Sequence, residues 1–471
     1  MLFILKKVRL MGLAVVFAIM MTNTGCGNSK ENQAAIAGQN VTETKELEEN
    51  QIGTESKDAS ESSKELKMLA CNSNVGNIVS AEDGMYRIVH EELADKTWAY
   101  KIYYIDYKSA QEIVLCNESS CNHDTDKCIG VIEDINLFSP QLFVYNDKLY
   151  VFSSCDESDS VSMITGDMDA FEEETRQACL YEMNLDGTER KCISNFPEDA
   201  SIDENVFGWN GQLIFCQKKV EKEKTKEGYV QNVCVDRKML ALDTKNETFK
   251  ELQDFSAEFS ICGIYKNNIV CQKIIYPKGY KNENTLNMDY DEWVEIMNKS
   301  DSTYLLYDME TGKEKELCTL SQERYFNDSM VFEDKLYISD DSDKMLCIDL
   351  NNGSKSEIVV KKGKSISLVT NLGDSILCWE KGDSKKTYLW KPAENKLIEF
   401  DMVLKGTNLN ADILTYNSKY IVVACDGDVT KNSDGSYEIH SQKYGIVEKE
   451  KLYQGNNEYN PVDMCSNGLN E

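Results

Sequence analysis

Proline and histidine are scarce in this chain, with five and three among 471 residues. Few prolines leave the backbone N–H groups free to pair along strands. Three histidines leave little room for imidazole chemistry, and two of them, His90 and His440, stand apart from other reactive side chains. The sequence has no G-x-S-x-G elbow, no H-E-x-x-H helix and no dinucleotide glycine fingerprint, so the common readable hydrolase, zinc-peptidase and nucleotide sites are excluded. Gly363-Lys364-Ser365 falls short of a phosphate loop, because Ile358 stands where that loop needs its first glycine. Positive charge is also short: 51 Lys and Arg face 81 Asp and Glu, a formal net charge of −30. That balance argues against nucleic acid, whose phosphates need a cationic surface. It suits the solubility of an exposed protein, and is compatible with cationic partners or divalent metals.

What is present begins with Lys6, Lys7 and Arg9, followed by an apolar stretch over 10–21. A charged region and an apolar run too short to span a bilayer read as an export signal, and no later run is long enough to span. The signal ends at Asn23-Thr24-Gly25-Cys26. These small residues before a cysteine resemble the lipobox of bacterial lipoproteins, although Asn23 stands where that motif prefers leucine. The resemblance implies lipidation of Cys26 after removal of 1–25; the other reading is an ordinary signal peptide cut nearby. Either way the protein is expected to be exported, on the outer face of the cell membrane if Cys26 is lipidated. Residues 27–68 contain no aromatic residue and are rich in Glu, Lys, Ser, Thr, Asn and Gln. Such a stretch cannot bury enough apolar surface to fold, so 26–68 reads as a disordered tether with a reach of about 35 Å. The folded domain is then expected over 69–471.

That domain carries a repeat. A turn leads into a short apolar strand at Asp83-Gly84-Met85-Tyr86, Asp147-Lys148-Leu149-Tyr150, Gly211-Gln212-Leu213-Ile214, Asn267-Asn268-Ile269-Val270, Asp334-Lys335-Leu336-Tyr337, Asp374-Ser375-Ile376-Leu377 and Ser418-Lys419-Tyr420-Ile421. A second phrase, a strand ending in a polar turn, follows each: Ile105-Asp106, Leu185-Asp186, Leu242-Asp243, Tyr307-Asp308, Ile348-Asp349, Trp390-Lys391 and Val447-Glu448. Two antiparallel strands joined by a hairpin explain each second phrase. From a second phrase to the next first phrase the step is 26–29 residues five times (186 to 213, 243 to 269, 308 to 336, 349 to 376, 391 to 420) and 43 once (106 to 149). A unit of about 40 residues and four short strands matches a propeller blade. The chain resembles bacterial exported lipoproteins with a β-propeller body, of the class that includes TolB-like and YWTD-like propellers. The resemblance covers 77 to about 456 and implies an all-β fold, with seven four-stranded blades, or six or eight if a terminal unit is misread. A fold of this kind implies little about function.

The departures from the repeat mark places to look. In a meandering blade with strands A to D, the B–C and D–A connections share one face and the A–B and C–D turns share the other. Blades two, three and four carry long B–C insertions, and the extra residues between blades one and two read as a D–A insertion. All four then decorate one face, and binding loops commonly sit on a rigid scaffold in this way. The D–A insertion brings Cys116, Cys121, His123 and Cys128 within 13 residues. Three thiolates and an imidazole suit a structural zinc with no open position. One disulfide with a spare thiol is the other chemistry open to an exported loop. The blade-four insertion spaces Leu286, Tyr290, Trp293, Val294 and Met297 as one helical stripe, either capping the disc or offering Tyr290 and Trp293 as a binding surface. The acidic insertion over 156–178 lacks an ordered ligand pattern, and Asp426-Gly427-Asp428 reads as a hairpin turn. Cys216, Cys271, Cys347 and Cys378 lie inside apolar phrases and read as small buried hydrophobes.

The sequence therefore predicts a membrane-anchored extracytoplasmic propeller that binds a protein, glycan or small molecule through one decorated face. It names no catalytic residue. Two alternatives are an extracytoplasmic carbohydrate-active enzyme, which needs paired carboxylates roughly 5–9.5 Å apart at the channel mouth, and an accessory or sensory subunit of an envelope complex.

Overall fold

The computed structural model describes residues 65–70, 76–133, 140–154, 161–162, 178–193, 196, 201–224, 230–255, 259–280, 290–322, 328–340, 342–433 and 435–466. Cys26, Leu286, Asp289 and most of 156–178 lie outside the described residues. No helix among the described residues is long and apolar enough to cross a membrane.

Seven antiparallel sheets follow one another along the chain, so the fold is a seven-bladed β-propeller. Blade one consists of Ile78–Ser80, Gly84–Glu92, Trp98–Asp106 and Glu112–Val114, in the spatial order A, B, C, D. Blade five is the plainest: Ser329–Phe332, Lys335–Ser339, Lys344–Asp349 and Lys355–Val359. The first phrase of each repeat is strand B and the second is strand C, as the spacing predicts. A–B turns are tight because their residues accept positive φ: Asn146 and Asp147 at 49° and 59°, Asn210 and Gly211 at 50° and 77°. Two consecutive residues at positive φ give the hairpin twist that adjacent strands need.

The apolar phrases run unbroken because both faces of a blade are covered. In strand B of blade two, Leu149 and Val151 enter the core shared with blade one, and Tyr150 and Phe152 enter the core shared with blade three. In blade three, Leu213 and Phe215 face blade two, and Ile214 and Cys216 face blade four. Alternate side chains thus feed two different cores. Cys216, Cys271, Cys347 and Cys378 are all buried in these cores, as small hydrophobes. The last interblade core joins blade seven to blade one through Ile78, Met85, Ile105, Val422, Tyr444 and Ile446, which closes the ring.

Two terminal segments add to the ring. Lys67–Ala70, which straddles the expected 68/69 boundary, pairs antiparallel with strand A of blade three, with Lys67 opposite Gly208 and Ala70 opposite Val206. Leu66 is buried in the core between blades three and four. The strand therefore lines the central channel, entering from the A–B side, where Trp209 ends strand A, and running toward the B–C side. At the other end, the chain after Asn460–Pro461 continues along strand D of blade one. Glu112 N–H donates to Asp463 O at 3.0 Å, and Asp463 N–H donates to Ala110 O at 2.8 Å.

The long B–C connections of blades three and four lie where the spacing puts them. In blade three, Gln212–Lys224 and Val230–Asp243 make a long hairpin, and Val161–Ser162 of the blade-two insertion pairs with its far end. In blade four the insertion holds the helix Tyr290–Asn298. Its buried residues are Ile296 and Met297, with Trp293 half-buried. A fourth long arm was not anticipated. Asp426, Gly427 and Asp428 do not form a turn; they lie within strand Tyr420–Lys431, which pairs with Tyr437–Glu448 in blade seven. Turn-forming residue types yielded here to the cross-strand ladder, a case of context overriding propensity.

Candidate metal centre and adjoining cleft

The Cys/His segment is not a D–A connection. Strand D of blade one is split into Glu112–Val114 and Val131–Glu133, and both halves pair with strand C. The break is stitched at one residue: Leu115 N–H donates to Ile102 O at 2.9 Å, and Ile102 N–H donates to Gly130 O at 2.8 Å. Residues 116–129 thus leave mid-strand at the outer rim of the blade. The loop leans toward the B–C end, where Leu93 and Ala99 pack with Cys128 and Val131. Gly130 permits the re-entry, since a β-carbon there would lie 2.9 Å from Leu115 O. Arg190 of blade two clamps the return, donating from Nη1 to Ile129 O at 2.9 Å and Val131 O at 2.5 Å.

Inside the loop, short turns fold the four candidate ligands together. Cys121 N–H bonds to Glu118 O at 3.0 Å, and Cys128 N–H to Thr125 O at 3.1 Å. His123 adopts a left-handed φ of 59°. Its N–H lies 3.4 Å from Cys121 Sγ, and its Nδ1 lies 3.4 Å from Cys128 Sγ. The ligand atoms of Cys116, Cys121, His123 and Cys128 all lie within 4.8 Å of one another, and the three thiols are free. Zn–S bonds of about 2.3 Å in a tetrahedron place sulfurs roughly 3.8 Å apart, so a slight contraction suffices. The cluster could therefore hold a metal ion, with Cys128 buried and the other three half-buried. Burial pushes the Cys128 thiol up to about 12, with Cys121 and Cys116 adding to the shift. Four protein ligands leave no open position, so such an ion stabilises a loop and takes no substrate.

Next to the loop lies a cleft of about 610 Å³ that the sequence did not reveal. Its floor is the sheet face of blade one, with Glu91, Lys101 and Tyr103; Cys116 and His123 form one wall, and Cys465 and Ser466 of the C-terminal segment form another. Beneath it, Arg87 and Glu112 make a fully buried ion pair at 3.1 Å. Glu112 Oε2 accepts from the N–H groups of Cys465 and Ser466, each at 2.9 Å. Arg87 also stacks over the Tyr444 ring of blade seven, 4.9 Å from its centre. The available signal was the charge pattern of strand B, where Arg87 and Glu91, four residues apart, fall on one face of the strand.

The central channel differs in character. A cavity of about 250 Å³ there is lined by Leu69, Ile78, Leu142, Leu372 and Ile413, with Thr370, Thr415 and Tyr416 among its polar groups. None of its described lining residues is a carboxylate. Trp293 and the backbone of Tyr290 lie in the blade-four helix, away from the Cys/His loop in the chain and in the blade order.

No protein-family model matches the chain, and no curated protein matches it. Among solved structures, a puromycin-hydrolyzing peptidase of Mycobacterium tuberculosis is 8% identical with a TM-score of 0.42, over 83% of this chain and 54% of that one. This chain thus spans about half the length of that peptidase. An oligogalacturonate lyase in complex with manganese is 12% identical with a TM-score of 0.37, over 78% of this chain and 86% of that one. TolB from Acinetobacter baumannii is 10% identical with a TM-score of 0.31, over 78% and 77%. Similarity this low carries no argument about this chain.

Proposed function

We propose that this chain is an exported, lipid-anchored β-propeller that binds a partner through the face of its B–C connections. The observation that carries the reading is sidedness. The long hairpins of blades three and seven and the helix of blade four are all B–C connections, whereas the A–B turns are tight. The strand Lys67–Ala70 begins at the A–B end of the channel, where Lys67 lies opposite Gly208.

Photo-cross-linkers placed in living cells provide the test. One at Tyr437, on the blade-seven arm, should form adducts with a partner, and one at Asn146, in an A–B turn, should form none. Equal adducts at both positions, or none at either, would sink the binding-face reading. For the anchor, Cys26→Ser should move the protein from the membrane fraction to the soluble fraction; unchanged partition would remove the lipid from the proposal.

A further inference from the structure

The four ligand residues of the Cys/His loop divide into an anchored half and an open half. Cys128 is buried among Leu93, Ala99 and Val131, and it precedes the stretch that Arg190 clamps at Ile129 and Val131. Cys116 and Cys121 are only half-buried, and the residues between them, 117–120, are all exposed. Cys116 and His123 also belong to the wall of the cleft of about 610 Å³, which opens this side of the cluster to solvent. The sulfurs of Cys116 and Cys121 lie within 4.8 Å of each other. A disulfide requires them to close to bonding distance. The exposed span 117–120 gives these two room to approach, whereas Cys128 would have to leave its apolar packing.

We propose that the loop is a peroxide-sensitive zinc switch. Its reduced state holds the ion through all four side chains, and its oxidised state carries a Cys116–Cys121 disulfide and no ion. The inference rests on the cluster holding zinc and is independent of the binding face. Coordination keeps the thiols deprotonated, which is the form that attacks a peroxide. The Cys116 thiolate attacks one oxygen of hydrogen peroxide, becomes a sulfenic acid and displaces hydroxide. The Cys121 thiolate then attacks that sulfur, the S–S bond forms and a second hydroxide leaves. Each thiolate gives up one electron, the peroxide takes both, and two protons turn the two hydroxides into water. His123 and Cys128 remain, and two protein ligands do not satisfy a structural zinc, which takes four. The two chemistries left open by the residue spacing, a metal or one disulfide with a spare thiol, are then two states of one loop, with Cys128 as the spare thiol. Oxidation removes the ion that ties 116–129 together and so loosens one wall of the cleft.

The experiment starts from the purified full chain, reduced with a phosphine, loaded with zinc and freed of excess metal. Hydrogen peroxide is added, released zinc is followed with a chromogenic chelator, and the cysteines are mapped by alkylation and mass spectrometry. About one zinc per chain should appear, in step with a Cys116–Cys121 bridge, while Cys128 stays open to alkylation once the chain is unfolded. Phosphine and fresh zinc should then restore the starting metal content. Cys192 and Cys465, exposed and outside the cluster, serve as internal controls. Zinc retained at peroxide concentrations that already oxidise these two overturns the switch, as does a bridge that includes Cys128 or Cys465. Release with sulfinic or sulfonic acids and no recovery is damage, and overturns it too. A chain that takes up no zinc after reduction removes the metal centre and the switch with it, and leaves the binding face to its own cross-linking test.

Discussion

Cys128 shows how one residue can belong to two structures. Its side chain is 1% exposed and packs with Leu93, Ala99 and Val131, so it is part of a small apolar core. Its sulfur also faces His123 Nδ1, with Cys116 and Cys121 within 4.8 Å. Three thiols in such contact gain little from packing alone, because sulfur is a weak hydrogen-bond partner. A cation held by the cluster would account for all four side chains together. Metal analysis of the reduced protein should give about one zinc per chain, and Cys121→Ser combined with His123→Ala should abolish it. The double variant should keep its main melting transition, since the loop lies outside the seven interblade cores, yet become cleavable by protease within 116–129. A metal-free protein with a Cys–Cys bridge in that segment would overturn the assignment. This cluster was legible in the sequence because its ligands are local, within 13 residues. Arg87, Glu112 and Cys465 were not, because 353 residues separate Glu112 from its partner Cys465 and only the closed ring joins them.

At the scale of elements, the C–D hairpins repeat one device. Asp106, Asp243 and Asp308 end strand C, Asp186 lies two residues past its end, and all four accept bonds from the turn. In blade four the Thr311 hydroxyl and then its N–H, at 2.8 and 2.7 Å, hold the Asp308 carboxyl below the usual carboxylate range. The other three are lowered in the same way by Ser109, Thr188 and Asn246. A carboxyl whose folded pKa is depressed stabilises the fold above its unfolded value and loses that contribution as pH falls through the folded one. These groups are well solvated, so each contribution is small. Asp308→Ala should cost about 1 kcal/mol at neutral pH, the usual net worth of such bonds. The difference from the parent should shrink as pH drops from about 4 toward 2. Urea melts at pH 7, 4 and 3 measure it, and a difference that stays constant across that range would refute the account. The acidic turn was plain in the sequence as the second phrase of each repeat. The split of strand D was hidden, because residue spacing counts an insertion without saying which hydrogen bonds resume after it. The arm of blade seven was hidden for a related reason: Asp426-Gly427-Asp428 has turn chemistry, and only the ladder to 441–443 shows it to be strand.

At the scale of the whole molecule, the ring must join blade seven to blade one. All four strands of each blade come from consecutive sequence, so no strand is exchanged to lock the ring. The lock is instead the core between those blades together with the segment after Pro461. Val462 is buried in that core, Asp463 pairs with Ala110 and Glu112, and the N–H groups of Cys465 and Ser466 reach the Glu112 carboxylate. Removing 462–471 forfeits about 2 kcal/mol for the valine and roughly 1.5–3 kcal/mol for charge-assisted bonds. With roughly 2 cal/mol/K of unfolding entropy per residue, a propeller of this length should melt about 4–6 °C lower. Glu112→Ala should cost a comparable amount, about 3–5 kcal/mol, because it strands the fully buried Arg87 without its counter-charge. The two changes share the bonds between Glu112 and the terminal segment, so the double variant should fall short of the sum by about the worth of those bonds. If the effects instead add fully, the segment is not held by Glu112 and the apolar core alone closes the ring.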